Sequence, residues 1–354
     1  MSMRPIMSGL VSLAMVLAVG CGSPEDRARP RDETGIHLWD LTTGSRIAYA
    51  HVPAADSSSS VPLVFLHGGP GACQLADVDS VRPWCERLAK RGFDVFLYDQ
   101  VGSGLSERLS DPRDYTVLRH VEDLEAVRRT IGDKPFILVG ESWGATLAAN
   151  YMAAYPDNVV KAVMVSPGPI DPGEWTAKRT SAPMIDPELL TWVQRWRGPA
   201  SLQRFVQLDL LLKTDVSAAY EFMGDSELDS VMDQYLTATV LPHLVHDPKR
   251  FAGSYATSKG VGGWSMVMTS WDATSKKEAV RAPLASLKTP VLILRGEFDF
   301  LPAGIADQYT STFSRSTLLR VPAAGQLIRL DQPEEYHRAI EAFLVDVKGV
   351  QHPR

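Results

Sequence analysis

Residues 135–148, PFILVGESWGATLA, constrain the fold of this chain more than any other stretch. The apolar run 136–139 is typical of a buried strand, residues 140–144 read GESWG, and the residues after them favour a helix. This is a G-x-S-x-G turn in a strand–turn–helix context, where glycines allow strand and helix to approach closely. The pattern predicts that the turn raises the Ser142 hydroxyl clear of a sheet. The backbone N–H of Trp143 then lies at the positive end of the helix, where it could bind an oxyanion.

The composition is that of an ordinary globular protein with one large or two modest domains. The chain has 354 residues, of which 45% are apolar and 22% charged, enough for a sizeable core without disulfides or metals. Its formal charge of −6 and the lack of a Lys/Arg run argue against a nucleic-acid partner. No His, Cys or carboxylate cluster has the spacing of metal ligands, and nothing implies a cofactor. The sequence indicates no oligomeric state.

The first residues have the character of an export signal. Arg4 precedes the uncharged stretch 6–20, which is long enough for a signal-peptide core and short for a membrane span. Small residues then lead to Cys21, as in a bacterial lipobox. We therefore expect residues 1–21 to be a signal peptide ending in a lipidated Cys21, and residues 22–35 to be a solvated tether that holds an exported protein to a membrane of the cell envelope or periplasm. A plain secretory signal and an uncleaved anchor are the alternatives.

Two further cysteines, Cys73 and Cys85, remain in the body of the chain. An exported protein can keep a disulfide, and these residues lie 12 positions apart across a loop and a predicted helix. The sequence leaves open whether they pair, and two free thiols are the simpler interpretation.

Apolar runs that alternate with helical patterns predict an α/β fold, a mostly parallel sheet with helices on both faces. The predicted strands cover residues 36–41, 46–52, 62–67, 93–99, 136–139, 159–166, 290–295 and 317–321, and the predicted helices include 81–90, 117–131 and one around Tyr336 and Ile340. The first two strands form an antiparallel hairpin at one edge. The two segments 36–170 and 286–350 are together predicted to form the core domain. The helix-prone, Trp-rich segment 171–285 is predicted to be a cap over the active site.

Three motifs together resemble the prolyl iminopeptidase family of α/β-hydrolases, which are serine aminopeptidases. They are HGGPG at 67–71, DQVGSGLS at 99–106 and GESWG at 140–144. The similarity extends over roughly residues 36–170 and 286–346, and the cap is largely unmatched. The resemblance implies a serine hydrolase that releases N-terminal residues from short peptides through an acyl-enzyme.

The resemblance assigns a nucleophile, Ser142, and an oxyanion hole made by the N–H groups of Gly69 and Trp143. It also assigns His67 a structural role. Candidate substrate-binding residues are Gly68, whose backbone can approach a substrate carbonyl, with Gln100, Glu141 and Glu174. Relatives are expected to bind a free α-amine with cap carboxylates, and the sequence offers Glu174, Glu188, Glu221 and Glu227.

In this family the acid and the histidine follow the nucleophile in the chain. Asp299 comes directly after a predicted strand and matches the acid, with Glu297 as the weaker candidate. The position of the expected catalytic histidine is occupied by Gln326, which has no pKa near neutrality and cannot take the serine proton. Other histidines are poor substitutes because they fall on other predicted elements: His37, His51, His120, His243, His246 and His337.

Three functions therefore remain open. The first is a hydrolase of the prolyl iminopeptidase type that is weak or inactive because of Gln326. Gln326 would then be either a substitution in an otherwise competent enzyme or a feature of a natural non-hydrolytic relative. The second is a non-catalytic lipoprotein that binds a peptide or small molecule in the capped pocket. The third is an esterase or amidase of the same fold. In each case the partner is a short peptide or a small amide or ester, with a membrane contact through the N-terminal lipid.

Overall fold

The computed structural model describes residues 35–56, 58–172, 187–251, 260–275 and 280–345. Within these ranges one sheet contains eight strands in the order β1-β2-β4-β3-β5-β6-β7-β8. The strands are β1 (Ile36–Asp40), β2 (Arg46–Val52), β3 (Val61–Leu66), β4 (Phe93–Tyr98), β5 (Phe136–Glu141), β6 (Val159–Val165), β7 (Val291–Gly296) and β8 (Ser316–Val321). The pairs β1–β2 and β2–β4 are antiparallel and all the others are parallel. The predicted α/β fold with an edge hairpin is confirmed.

The helices follow the strands in the expected alternation. Those of the core are α1 (Val78–Lys90), α2 (Val117–Thr130), α3 (Trp143–Ala154), α9 (Arg281–Ser286), α10 (Ala303–Thr312), α11 (Ile328–Asp331) and α12 (Pro333–Leu344). Helix α1 begins three residues before its predicted start and contains Pro83, which is exposed. Helix α10 was not predicted because its apolar pattern is weak, with Ile305, Ala306 and Tyr309 buried beside the polar Gln308.

The central strands are buried on both faces, which explains why their sequences are continuously apolar. In β5, Phe136 and Leu138 belong to a core that includes residues of α2, α3 and α10. Their neighbours Ile137 and Val139 belong to a second core that includes residues of α1 and α12. The sheet therefore lies between two helical layers, and the carboxyl ends of its parallel strands meet at one edge.

The segment between β6 and β7 contains the helices α4 (Pro187–Thr214), α5 (Val216–Phe222), α6 (Asp225–Tyr235), α7 (Pro248–Phe251) and α8 (Gly263–Ser275). Helix α4 is broken at Gly198, where φ is 80°. Helix α8 packs against α6 and also against α2 of the core. At the end of the range predicted as cap, α9 packs instead against α3 and α10, with Leu284 fully buried, so this short helix lies with the core.

The predicted signal peptide, Cys21 and all of the predicted tether except Gly35 lie outside the described residues. In the part of the chain that is described, no helix combines the length and apolarity needed to cross a bilayer, and no group of three His, Cys, Asp or Glu side chains is placed to hold a metal ion. Cys73 and Cys85 are both free thiols. Burial raises the pKa of each thiol to about 12.

Candidate active site

Ser142 occupies a sharp turn between β5 and α3, with φ 52° and ψ −115°. A non-glycine residue at positive φ is strained and persists only where surrounding structure holds it. Here the Ser142 N–H donates to the carbonyl of Val165 at 2.9 Å, and its carbonyl accepts from the Gly168 N–H at 3.0 Å. The flanking glycines are both required, since a Cβ at Gly140 would lie 2.4 Å from the Gly144 carbonyl oxygen, and a Cβ at Gly144 would lie 2.1 Å from that of Leu66.

The HGGPG loop after β3 passes directly beside this serine. A Cβ on Gly68 would lie only 3.2 Å from the Cβ of Ser142. Gly69 has φ 114°, and a Cβ there would lie 2.6 Å from the N atom of Ala72, so only glycine fits. Trp143 is the first residue of α3, where backbone N–H groups have no helical partner. The HGGPG loop and the start of α3 thus both lie directly beside Ser142.

His67 is a structural residue in this arrangement. Its Nε2 accepts from the backbone N–H of Gln100 at 2.9 Å, which leaves Nδ1 to donate to the carbonyl of Gly68 at 2.8 Å. Burial lowers the pKa of the imidazole, although the negative charge of Asp99 acts to raise it. Both ring nitrogens are therefore engaged in holding the loop, and the ring is neutral at pH 7.

Gln100 connects the Trp143 side chain to the start of the loop that carries Gly69. Its Oε1 accepts from the indole Nε1 of Trp143 at 3.0 Å, and its Nε2 donates to the carbonyl of His67 at 3.0 Å. The side chain is 2% exposed and does not line the cavity. The structure thus gives Gln100 a supporting position instead of the predicted substrate contact. Sequence alone could not show this, because both partners lie far from Gln100 along the chain.

Asp299 is buried just beyond the end of β7. Its Oδ1 accepts from the backbone N–H of Leu301 at 2.9 Å, and its Oδ2 accepts from Nη1 of Arg295 at 3.2 Å. Burial raises the pKa of this carboxyl, while the Leu301 N–H and the Arg295 charge lower it. The Phe298 N–H donates to the carbonyl of Ala324 at 2.8 Å, which joins the loop of Asp299 to the loop that carries Gln326.

The weaker acid candidate, Glu297, points elsewhere. Its Oε2 accepts from the backbone N–H of Ala323 at 3.1 Å, and the residue is exposed. Asp299, by contrast, is buried, with 8% of its surface exposed. The geometry therefore favours Asp299 as the acid of the site.

Gln326 lies in the loop between β8 and α11 and is 2% exposed. Its Nε2 donates to the backbone carbonyl of Ser166 at 2.9 Å, whereas its Oε1 is buried without a hydrogen-bond partner in the described part of the chain. The loop is fixed on both sides. The Gly325 N–H donates to Asp331 at 2.8 Å, and the Leu327 N–H donates to the carbonyl of Leu244, from the segment between β6 and β7, at 2.9 Å.

A cavity of about 530 Å³ brings the predicted residues together. Ser142, Gly68, Gly69, Glu141 and Gln326 all line it, while Asp299 and Trp143 lie outside its lining. The glycines and Gln326 thus face the same space as the serine hydroxyl. Glu174, the remaining substrate-binding candidate, lies outside the described residues.

An ion-pair chain that the sequence analysis missed forms part of the cavity wall. Arg329 Nε is 3.8 Å from Glu141 Oε2, and Arg329 Nη1 is 3.4 Å from Asp77 Oδ2. Burial raises the pKa of Glu141, and the Arg329 charge opposes this rise. Arg329 lies only three residues after Gln326 in the sequence, and this proximity is the signal that could have indicated it.

Histidines elsewhere do not replace Gln326 in the described site. Besides His67, the histidine that lines the cavity is His337, whose ring stacks on Trp84 with centroids 4.5 Å apart. Burial, and then the charge of Arg87, lower its pKa. His120 lies behind Trp143, 3.0 Å from the hydroxyl of Thr269, and burial lowers its pKa to about 3. The rest lie outside the cavity lining: His37, His51, His243 and His246.

The sequence of this chain is similar to those of known proteins. A family model described as the α/β-hydrolase fold matches residues 61–333. The proline iminopeptidase of Thermoplasma volcanium is 26% identical over 289 residues, which cover 80% of this chain and 88% of that protein.

Solved structures share the fold. The crystal structure of proline iminopeptidase from Mycobacterium smegmatis superposes with a TM-score of 0.56 at 21% identity, covering 87% of this chain and 97% of that chain. An esterase from Exiguobacterium antarcticum gives a TM-score of 0.56 at 16% identity, and the superposition covers 86% of this chain and 98% of that chain. Identities this low establish a common architecture and leave the chemistry to the residues of the site.

Proposed function

We propose, since the chain belongs to the α/β-hydrolase fold family, that Ser142 is the nucleophile of a serine-hydrolase site. The observation that carries the proposal is the strained elbow of Ser142 directly beside the backbone of Gly68. Attack of Oγ on a substrate carbonyl would place the new oxyanion against the N–H groups of Gly69 and Trp143. Collapse of this intermediate expels an amine or alcohol and leaves an acyl-enzyme, which water then hydrolyses.

Gln326 makes the proposed hydrolysis slow. Each half-reaction needs a group that first removes a proton and then returns it, and an amide does neither at neutral pH. Asp299 can orient an imidazole but has no imidazole to orient. Loss of a triad member leaves only the rate that oxyanion binding and positioning supply, about 10³- to 10⁴-fold over water. The site is therefore that of a hydrolase whose present form is weak.

The proposed substrates are short peptides with a free N-terminus, as the names of the relatives suggest. An α-amine needs a carboxylate within the cavity. Glu227 is bound to Arg204 at 2.6 Å outside the cavity lining, and Glu221 is also outside it. Among the described residues, Glu141 and Asp77 are the carboxylates in the cavity wall, and we assign amine recognition to Glu141 because it adjoins Ser142.

The test uses the Gln326→His variant with three arylamides: prolyl, alanyl and N-acetyl-prolyl β-naphthylamide. An aminopeptidase should cleave the free-amine substrates at least about tenfold faster, a difference of about 1.4 kcal/mol in transition-state binding. Glu141→Gln in the same background should remove that preference, and Glu227→Gln is the matched control. Equal cleavage of all three, with faster cleavage of aryl esters, would instead indicate an esterase or amidase.

A second candidate function is ligand binding without catalysis. The buried, unpartnered Oε1 of Gln326 favours it, because a ligand N–H or O–H would relieve the cost of an unmade hydrogen bond. Titration calorimetry of the unsubstituted protein with prolyl and alanyl amides tests this candidate. Tight binding with no turnover even in Gln326→His would support the binding protein and contradict the hydrolase.

The location of the protein is also a proposal. The lipobox-like end at Cys21 supports an exported lipoprotein tethered by residues 22–35, with residues 36–170 and 286–350 as core and 171–285 as cap. Expression of the full chain in a bacterial host with an alkyne fatty acid tests it. Labelling that disappears in Cys21→Ser is expected, and labelling that persists in this variant would contradict it.

A further inference from the structure

The cavity that contains Ser142 extends into an apolar arm between α1, α12 and the sheet. We define the arm by Phe65, Val81, Trp84, Leu97 and Tyr336, all of which line the same cavity as Ser142. Trp84 is its central side chain, since the ring meets Phe65 edge-on at 5.4 Å and Tyr336 at 5.4 Å. The arm thus lies in the layer opposite α2 and α3.

Open space at this place is unusual for a protein core. Most of the arm's side chains belong to the second hydrophobic core, whose other members are buried beside the sheet. Protein interiors rarely contain voids larger than a water molecule, because unfilled apolar walls lose dispersion contacts. An apolar space that is continuous with a nucleophile is instead typical of a binding pocket.

The chemistry of the arm selects its occupant. The indole Nε1 of Trp84 already donates to Glu341 Oε1 at 3.1 Å, so the ring presents apolar surface to the cavity. Burial lowers the pKa of His337, whose ring is therefore neutral at pH 7 where it stacks on Trp84. The charged groups of the cavity wall in the described chain are Asp77, Glu141 and Arg329, and each carboxylate lies within ion-pair distance of the Arg329 guanidinium.

We propose that this arm binds an extended apolar chain, alkyl or aryl, carried by the ester or amide that reaches Ser142. The proposal rests on the proposed function only in taking Ser142 as the reacting end. It narrows the substrate class to amides and esters with a large apolar substituent, beyond what a single proline ring would need.

The experiment measures binding to the full chain with Gln326 unchanged, so that amides are not consumed. The probes are the N-methyl amides of butanoic, hexanoic, octanoic and decanoic acid, titrated by calorimetry. Each added methylene should raise the affinity about fourfold until the arm is full, as expected for burial of a CH₂ group. Affinity that does not depend on chain length would overturn the proposal.

Variants locate the chain within the arm. Val81→Trp, from a half-buried position, should fill the arm and weaken binding of the decanoic amide at least tenfold while leaving the butanoic amide within twofold. Glu86→Trp, on the exposed side of α1, is the matched control and should change neither. If Val81→Trp does not fold, Ser80→Phe obstructs the arm from an exposed position. Equal effects of the α1 control and the arm variant would contradict the assignment.

The arm and the proposed function fail in different ways. Hydrolysis by Gln326→His without any chain-length dependence would overturn the arm alone. Chain-length dependence in binding, without hydrolysis by Gln326→His, would overturn the hydrolase alone.

Discussion

The side-chain amide of Gln326 donates to the backbone carbonyl of Ser166 at 2.9 Å, and this bond fixes the orientation of the amide. A backbone carbonyl accepts only, so Nε2 must face Ser166 and Oε1 must face away from it. That buried oxygen has no partner in the described chain. The site therefore presents an acceptor that can receive a hydrogen bond but cannot remove a proton. This arrangement is the basis of both functions proposed above, a weak hydrolase and a binding protein.

The first prediction concerns Gln100, which connects Trp143 to the His67 carbonyl. In the Gln326→His background, Gln100→Leu leaves both groups buried without a partner and loosens the oxyanion hole. We expect kcat to fall about tenfold to a hundredfold, or about 1.4 to 2.7 kcal/mol, with KM within twofold. Steady-state kinetics on an activated ester measure the two constants. A rise in KM at constant kcat would show that Gln100 contacts substrate after all.

The second prediction concerns the close approach of the elbow to β3. In Gly144→Ala the new Cβ would lie 2.1 Å from the Leu66 carbonyl oxygen, so strand or helix must shift. We expect the free energy of unfolding to fall by about 3 kcal/mol or more in urea titrations, at the upper end of overpacking costs. Gly224→Ala is the control, because nothing lies within 4 Å of its added Cβ and its φ is −71°. It should change stability by no more than about 1 kcal/mol.

The third prediction concerns stability against pH. Burial lowers the pKa of His120 to about 3, from 6.5, so between these values the unfolded chain binds a proton that the folded protein does not. The contribution of this neutral imidazole to the free energy of unfolding is complete above pH 6.5. It is lost progressively as the pH falls from 6.5 toward 3. Between pH 7.5 and 5.5 the loss is about 1.4 kcal/mol. Over this interval, the free energy of unfolding of His120→Gln should therefore fall by about 1.4 kcal/mol less than that of the parent protein. Paired urea titrations at the two pH values measure this difference. Equal losses would contradict a neutral, buried imidazole.

The fourth prediction tests the acid. In the Gln326→His background, Asp299→Asn should lower kcat/KM by about 10³- to 10⁴-fold, because the imidazole loses its orienting carboxylate. Glu297→Gln is the matched control and should stay within threefold, since its carboxylate holds the Ala323 N–H. A larger effect at Glu297 than at Asp299 would reverse the assignment.

Local patterns account for what the sequence predicted well. The apolar runs of β3, β5 and β7 indicated a sheet buried on both faces, and the glycines around Ser142 indicated the elbow, because backbone geometry there depends on neighbouring residues. What was missed depends on contacts between distant residues. The amide of Gln100 is satisfied by residues 33 and 43 positions away, and Arg329 reaches Asp77 across 252 positions. The apolar arm likewise forms only when α1 and α12 pack beside each other.

The most direct test of the account is the reaction of Ser142 in the parent protein and in Gln326→His. The measurement is kcat/KM for p-nitrophenyl butyrate, together with the rate of labelling by a fluorophosphonate. We predict that Gln326→His raises both by at least about 10³-fold, a gain of about 4 kcal/mol, and that Ser142→Ala in this background abolishes both. Equal rates with and without the histidine, or activity that survives Ser142→Ala, would contradict the central claim.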